Sequence, residues 1–212
     1  MTVEIREVRQ EDISEVKRLV ARTWGIDGVF DDRTSLEVAA SLFVNTFLHN
    51  GTFGRVAVLN EEIVGLIIGS ARGDAPRLRM LTEEPIELIA GALGLEEADV
   101  TRIQGYLSTI FTSYEKLLSP HKENYQGCLE LFVVDTKARG NQVGKRLLQE
   151  LTTYFYKHRV ETYYLFTDTN CTYGFYDHNG FTRREKEELT LPFTIDHQPA
   201  KMTNFLYDYT LH

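Results

Sequence analysis

Leu129-Glu130-Leu131-Phe132-Val133-Val134 runs directly into Asp135-Thr136-Lys137-Ala138-Arg139-Gly140-Asn141-Gln142-Val143-Gly144, and the reading of this passage decides the fold. The first half is rich in the β-branched and aromatic residues that suit a strand. The second is a polar turn. After it, Val143, Leu147, Leu148, Leu151, Tyr154, Phe155 and His158 recur at helical spacing. Tyr163-Tyr164-Leu165-Phe166-Thr167 then reads as another strand, followed by Asn170-Cys171-Thr172-Tyr173-Gly174-Phe175-Tyr176-Asp177-His178-Asn179-Gly180-Phe181. A turn that leads from a strand into a helix presents unpaired N–H groups at the positive end of the helix dipole, which suits a phosphate. Arg139 adds a cation, and Gly140 and Gly144 are positions where the backbone turns freely or is approached closely. Lys145 and Arg146 place charge against the dipole, which a bound anion relieves. Taken alone, a solubilising turn with ordinary capping explains the stretch as well, because short Gly-containing turns are weak motifs.

The whole chain has 212 residues, 42% hydrophobic and 25% charged, enough for one domain or one domain with a large insertion. A net charge of −8 argues against a nucleic-acid scaffold or a polybasic membrane binder. Cys128 and Cys171 form no Cys-x-x-Cys pattern and read as small buried apolar residues in a reducing compartment, with no metal site expected. Met1-Thr2-Val3-Glu4-Ile5-Arg6-Glu7 carries charge where a secretory leader needs an apolar stretch, and no run reaches the ~20 residues of a membrane span. A cytoplasmic protein is the expectation.

Val3 to Val8 alternates as a half-buried strand. A helix starting at Asp12 or Ser14 has Ile13, Val16, Leu19, Val20 and Trp24 on one face, and Gly25 to Asp32 is a loop. A second helix, capped by Thr34 or Ser35, ends near Asn50-Gly51. Residues 55–59 and 63–70 form a hairpin, with Gly65 marking a bulge or a close backbone approach. Residues 72–125 are too many for a plain loop and are helical in pattern, over Pro85 to Leu93 and again from Ala98 to Leu118. This insertion reads either as extra core or a dimer contact, or as a lid over a site. His121 reads as a solvated loop residue, and His178 as a turn residue at a helix end. Residues 189–193 and 205–211 are closing strands, the first at an edge because of Pro192.

The turn has neither the Gly-Lys-Ser/Thr of the nucleotide P-loop nor the three spaced glycines of the dinucleotide fingerprint. It resembles instead the acetyl-CoA signature of the GNAT superfamily of N-acetyltransferases, Arg/Gln-x-x-Gly-x-Gly/Ala, here Arg139-Gly140-Asn141-Gln142-Val143-Gly144. The resemblance extends through Leu131 to Val134, the Leu147-Leu148 helix, and a downstream Asn170…Phe175-Tyr176…Gly180-Phe181 like the family's Asn…Phe-Tyr-x-x-x-Gly-Phe. Residues 72–125 lie outside it. Gln142 departs from the pattern, standing where the family usually has glycine, where a side chain crowds the pyrophosphate or restricts the backbone.

The resemblance implies a single α/β GNAT domain over residues 1–212: a mixed, mostly antiparallel sheet splayed after Val134, flanked by helices, with the helical insertion between the third and fourth strands. It implies acetyl-CoA as co-substrate and a primary amine, small molecule or peptide, as acceptor. Backbone amides from Asn141 to Lys145, with Arg139 and Gly140, would hold the pyrophosphate; this set includes Gln142, Val143 and Gly144. The backbone of Phe132 and Val134 would pair with the pantetheine arm, an amide of that strand would bind the thioester oxygen, and Asn170 would bond the arm. Tyr176 resembles the general acid that protonates the thiolate. Glu130, on the strand face of Cys128 and Phe132 by period two, is a candidate base, beside a surface carboxylate, a cross-strand ion pair or a water chain in its place. The competing class is a GNAT-fold module that holds acyl-CoA as a sensor without transferring it; thiol release across an amine panel separates the two.

Overall fold

Glu62–Ala71 and Gly127–Val134 are apolar at almost every position, so each needs cover on both faces and belongs in the middle of a sheet. The computed structural model describes residues 3–23, 33–81, 94, 96–138, 140–191 and 200–211 and places these segments as β3 and β4. Around them lie β1 (Glu4–Glu7), α1 (Ile13–Thr23), α2 (Arg33–Asn50), β2 (Phe53–Leu59), α3 (Glu97–Leu118), α4 (Val143–Lys157), β5 (Thr162–Asp168), α5 (Gly174–His178), β6 (Thr182–Leu191) and β7 (Ala200–Thr210). The sheet has seven strands in the order β1-β2-β3-β4-β5-β7-β6. Every neighbouring pair is antiparallel except β4 with β5. The α/β architecture, the mostly antiparallel sheet and the helix between the third and fourth strands are as the sequence implied.

Two cores fill the two faces. On one, Ile13, Val16, Leu19 and Val20 of α1 meet Phe43 and Phe47 of α2, Ile103, Leu107 and Ile110 of α3, and Leu66 and Ile68 of β3. On the other, Val143, Leu147, Leu151 and Phe155 of α4 lie over Ala57, Val64 and Ile67. Their spacing of four residues forms one continuous stripe, and that stripe is what makes the segment a helix rather than a loop. The hairpin between β2 and β3 turns through Asn60 at φ 51 and Glu61 at φ 66, the paired left-handed residues whose twist matches two antiparallel strands.

Gly65 satisfies both readings of its sequence position. The β2–β3 register shifts beside it, and a Cβ there would lie 2.9 Å from Val143 Cγ1 and 3.0 Å from Leu147 Cδ1. The helix therefore rests on the bare backbone of β3.

The structure alters three expectations. The splay of β4 from β5 starts after Leu129, where their pairing ends, rather than after Val134. β6 begins at Thr182, not Leu189; Thr182 to Glu188 is charged, mostly exposed and without alternation, because an edge strand here has no apolar face to bury. In the insertion, α3 takes the core reading that the sequence offered beside a lid: Tyr114 stacks on Phe166 with centroids 4.2 Å apart, and Phe111 packs on Phe43 and Phe47. The chain that follows α3 is tied back as well, since His121 Nε2 sits 2.9 Å from Glu185 Oε1 of β6 and so is not simply solvated. Trp24, the loop from Gly25 to Asp32, the Pro85 to Leu93 helix, Arg139 and Pro192 lie outside the described residues.

Replacing Gly65 by Val drives a side chain into Val143 and Leu147. Overpacking of this kind costs about 1–3 kcal/mol, to be read as a lower urea midpoint at unchanged m-value.

Candidate active site

The parallel pairing of β4 and β5 runs only from Gly127↔Tyr163 to Leu129↔Leu165. Beyond it the strands diverge and leave a V-shaped cleft of about 820 Å³. One wall is β4 from Leu129 to Val134; the other is Phe166, Thr167 and the Asn170–Thr172 turn, with Phe175 and Tyr176 of α5. The mouth is formed by Asp135 to Ala138, Gly140, Gln142 to Lys145 and, from α1, Arg22 and Thr23.

The backbone of β4 has an open edge here. The Asp135 amide donates to the Val64 carbonyl across β3 at 2.8 Å, so by strand alternation Val133 also faces β3 while Phe132 and Val134 present their N–H and C=O to the cleft. At the apex, Gly69 pairs with Leu129 but Ile68 with Leu131, which leaves Glu130 as the extra residue of a β-bulge. The bulge reverses the alternation. Leu129, Phe132 and Val134 face α4, whereas Leu131 and Val133 face α1 and α2. Glu130 keeps the side of Cys128, whose thiol reaches its carboxylate, but not that of Phe132. The period-two placement of Glu130 with Phe132 is thus half right, the inserted residue being what separates them.

The start of α4 is shaped for an anion. Gln142, its N-cap, sits at φ 54 and ψ 23 and makes no side-chain cap. Gly140 turns at φ 83. The Asn141 amide is taken by the Ala138 carbonyl at 3.2 Å. The amides of Gln142, Val143, Gly144 and Lys145 have no acceptor among the described residues, the first four N–H groups of a helix being beyond the reach of its own carbonyls. A Cβ on Gly144 would touch Phe132 Cζ at 3.4 Å and Val134 Cγ2 at 3.8 Å, ordinary contact distances that leave room for alanine. The usual preference for glycine at the position of Gln142 has its reason in this left-handed backbone.

Charge is graded along the cleft. At the mouth Lys145 is exposed and Arg22 Nη2 donates to Asp135 Oδ2 at 3.2 Å. Burial pushes Asp135 up, but the Lys137 amide and Arg22 outweigh it and hold the carboxyl below its ordinary range. Arg146 turns away, its Nη1 bonded to the Val3 carbonyl at 2.9 Å. At the apex burial pushes Glu130 above the ordinary glutamate range against the bonds it accepts from Ser70 and Cys128. Tyr176 is buried among Phe175, Phe181 and Tyr207, and its hydroxyl makes no hydrogen bond to another described residue. Burial, then the neighbouring Cys171, hold its proton well above the ordinary tyrosine range. The Asn170 amide donates to Asp168 Oδ1 at 2.7 Å, and its Nδ2 points to Met202 Sδ at 3.5 Å.

Neither cysteine is activated as a thiolate. Cys128 is buried, and Cys171 lines the cleft with its thiol 3.6 Å from Asp168 Oδ2, where burial and then that carboxylate push it up to about 12. His178 is exposed and bonded to the Gly174 carbonyl, a helix-end residue as read from the sequence. Arg22, Ser70 and Phe166 join the site without having been singled out. Ser70 alone left a trace, as the polar residue near the end of an otherwise apolar run from Ile63.

An acetyltransferase (GNAT) domain model matches residues 96–183, a span that takes in α3 although the sequence reading put that helix outside the resemblance. No curated protein sequence matches the chain. Among solved structures, a Drosophila melanogaster polyamine N-acetyltransferase that forms N-acetylagmatine superposes with a TM-score of 0.54 at 13% identity, over 99% of this chain and 100% of its own. GNAT-family acetyltransferases of Streptococcus pneumoniae and Staphylococcus aureus give 0.51 at 15% identity and 0.53 at 16%, each over 100% of both chains. At these identities the likeness is one of fold.

The backbone around Gln142 is directly testable. Glycine there removes a left-handed strain of about 1 kcal/mol, so Gln142→Gly raises the melting temperature, while Gly140→Val, in open space but at positive φ, lowers it by a similar amount. Turn motif, matched domain and fold agree: residues 96–183 match the GNAT acetyltransferase domain, and the fold is the one shared with solved GNAT-family acetyltransferases.

Proposed function

We propose that this chain transfers an acetyl group from acetyl-CoA to a primary amine by direct attack. The observation that carries the reading is the union, in one cleft, of an uncapped helix start with free amides and an open strand edge that ends at a half-buried carboxyl. The amides of Gln142 to Lys145 suit a pyrophosphate, with the Lys145 ammonium beside them. Phe132 and Val134 offer the backbone of an unpaired strand to an extended amide-bearing arm, in the manner of β-augmentation, with Asn170 across from them. Bound there, acetyl-CoA supplies an acyl group activated as a thioester.

The chain's own groups then divide the proton work. Glu130 takes one proton from the acceptor ammonium and passes it to solvent. An amide on the open edge of β4 serves, in this reading, as the donor to the carbonyl oxygen on which charge develops. Tyr176 holds a proton for the departing sulfur, and the nitrogen's second proton restores the phenol. Its raised pKa costs driving force in that step; it also keeps the donor neutral at every working pH. Polyamine acetylation by a fold relative supports a small cationic amine as the first acceptor to try, but the acceptor is an open choice of the panel.

Thiol release from acetyl-CoA across a panel of primary amines tests this reading. Tyr176→Phe lowers kcat about a hundredfold or more with CoA affinity unchanged; equal turnover removes Tyr176 as the acid. CoA binding without turnover on any amine favours the sensor module.

The pH dependence follows from Glu130. Its working form is the carboxylate, present above a raised pKa, so kcat/KM falls as pH drops through a limb lying above the ordinary carboxylate range. That limb is absent from the residual activity of Glu130→Gln.

A further inference from the structure

Three residues on adjacent strands lie in one row beneath Glu130. Ser70 of β3 is the cross-strand partner of Cys128 of β4, and Cys128 is the partner of Tyr164 of β5. The row sits at the apex of the cleft, within the last stretch where β4 and β5 still pair. The bulge sets the Glu130 carboxylate over it. Ser70 Oγ donates to Glu130 Oε1 at 2.6 Å. The Cys128 thiol donates to the same carboxylate, and the Tyr164 hydroxyl donates in turn to the Cys128 sulfur.

We propose that the row Ser70–Cys128–Tyr164 is a positioning device that holds the Glu130 carboxylate in one orientation at the cleft apex and sets the pH at which it takes a proton. The inference rests on the reading of Glu130 as the base. A carboxylate accepts and does not donate, and here its described partners are donors on two strands, one of them backed by a third. Donors aimed at the ionised form stabilise it, and so oppose the burial that favours the neutral acid. Burial alone favours the neutral acid, whereas a carboxylate in full solvent is a weaker base. The row works against the first effect while the site keeps the second from applying in full. It also assigns a purpose to a thiol that is too deeply buried to react, that of a soft donor fitting between two strands where a hydroxyl's shorter bonds draw them closer.

The surrounding groups are consistent with this local control. Cys128 and Tyr164 are the titratable groups in the row, and Arg72, beyond the end of β3, acts on Tyr164 from that side. Asp168 lies at the far end of β5, where its charge acts on Tyr106 and Tyr114 of α3. Arg22 and Asp135 pair with each other at the mouth.

Ser70, Cys128 and Tyr164 make no contact with substrate in this scheme, so loss of rate alone does not establish their role. The measurement is a carboxyl ¹³C titration of the full-length protein, with the Glu130 resonance assigned by its loss in Glu130→Gln. The midpoint moves to higher pH in Ser70→Ala and in Cys128→Ala, and returns toward the starting value in Cys128→Ser. In parallel, kcat/KM with the best amine of the panel falls about tenfold, the effect of one hydrogen bond to a charged group, on the acidic limb while the high-pH plateau holds. Ser70 is half-buried and small, so Ser70→Ala keeps the test open should the buried cysteine variants fail to fold. An unmoved midpoint in folded Ser70→Ala overturns the proposal. Full activity and an unchanged limb in Glu130→Gln overturn instead the reading of Glu130 as the base.

Discussion

The site depends on the parting of β4 from β5. Two parallel strands joined by hydrogen bonds have no space between them, and here the pairing stops after Leu129 and Leu165. From that point β4 remains anchored on its other edge to β3, so its free edge is held rigidly and not left to fray. β5 is anchored likewise by β7 along its whole length. The gap is therefore a fixed feature between two restrained walls. An open edge is normally a liability in a sheet; placed inside the molecule it becomes a binding surface for an extended ligand.

The second constraint is the seat of α4. Its apolar stripe fixes its rotation, and Gly65 lets it sit closer to β3 than any side chain would permit. Because the helix is fixed in depth, its first turn is fixed at the mouth of the gap, and the amides there point where the strand edge leads. Packing of the helix's first two turns on β3 thus sets the anion geometry at its start. The strain at Gln142 is tolerated because both neighbours are held, Asn141 by Ala138 and Val143 in the core.

Much of this was legible in the sequence because its causes are local. Strand composition from Leu129 to Val134, the stripe of α4, the Asn60-Glu61 turn and the paired motifs around Gly144 and Tyr176 each announce themselves within a short window. What the sequence hid is relational. The bulge at Glu130 comes from the registration of β4 against β3, and no window of β4 alone contains it. β6 is charged because it lies at an edge, a fact known only once the strand order is known. Arg22 enters the site through the angle of α1, and Ser70 through a partner far along the chain. The acceptor side depends most heavily on such long-range neighbours, and it is there that sequence reading stopped.

The strand order bears on how the sheet is assembled. β7 follows β6 in the chain yet is interposed between β5 and β6, so until β7 is placed β6 has no partner and β5 has an unpaired edge. Exposed strands at that stage are sites of chain-to-chain pairing. The dense charge of Thr182 to Glu188 counters this, keeping a waiting strand in water until its own hairpin partner arrives. The same residues that carry no signal for a strand therefore protect the nascent cleft from aggregation while its outer wall is incomplete.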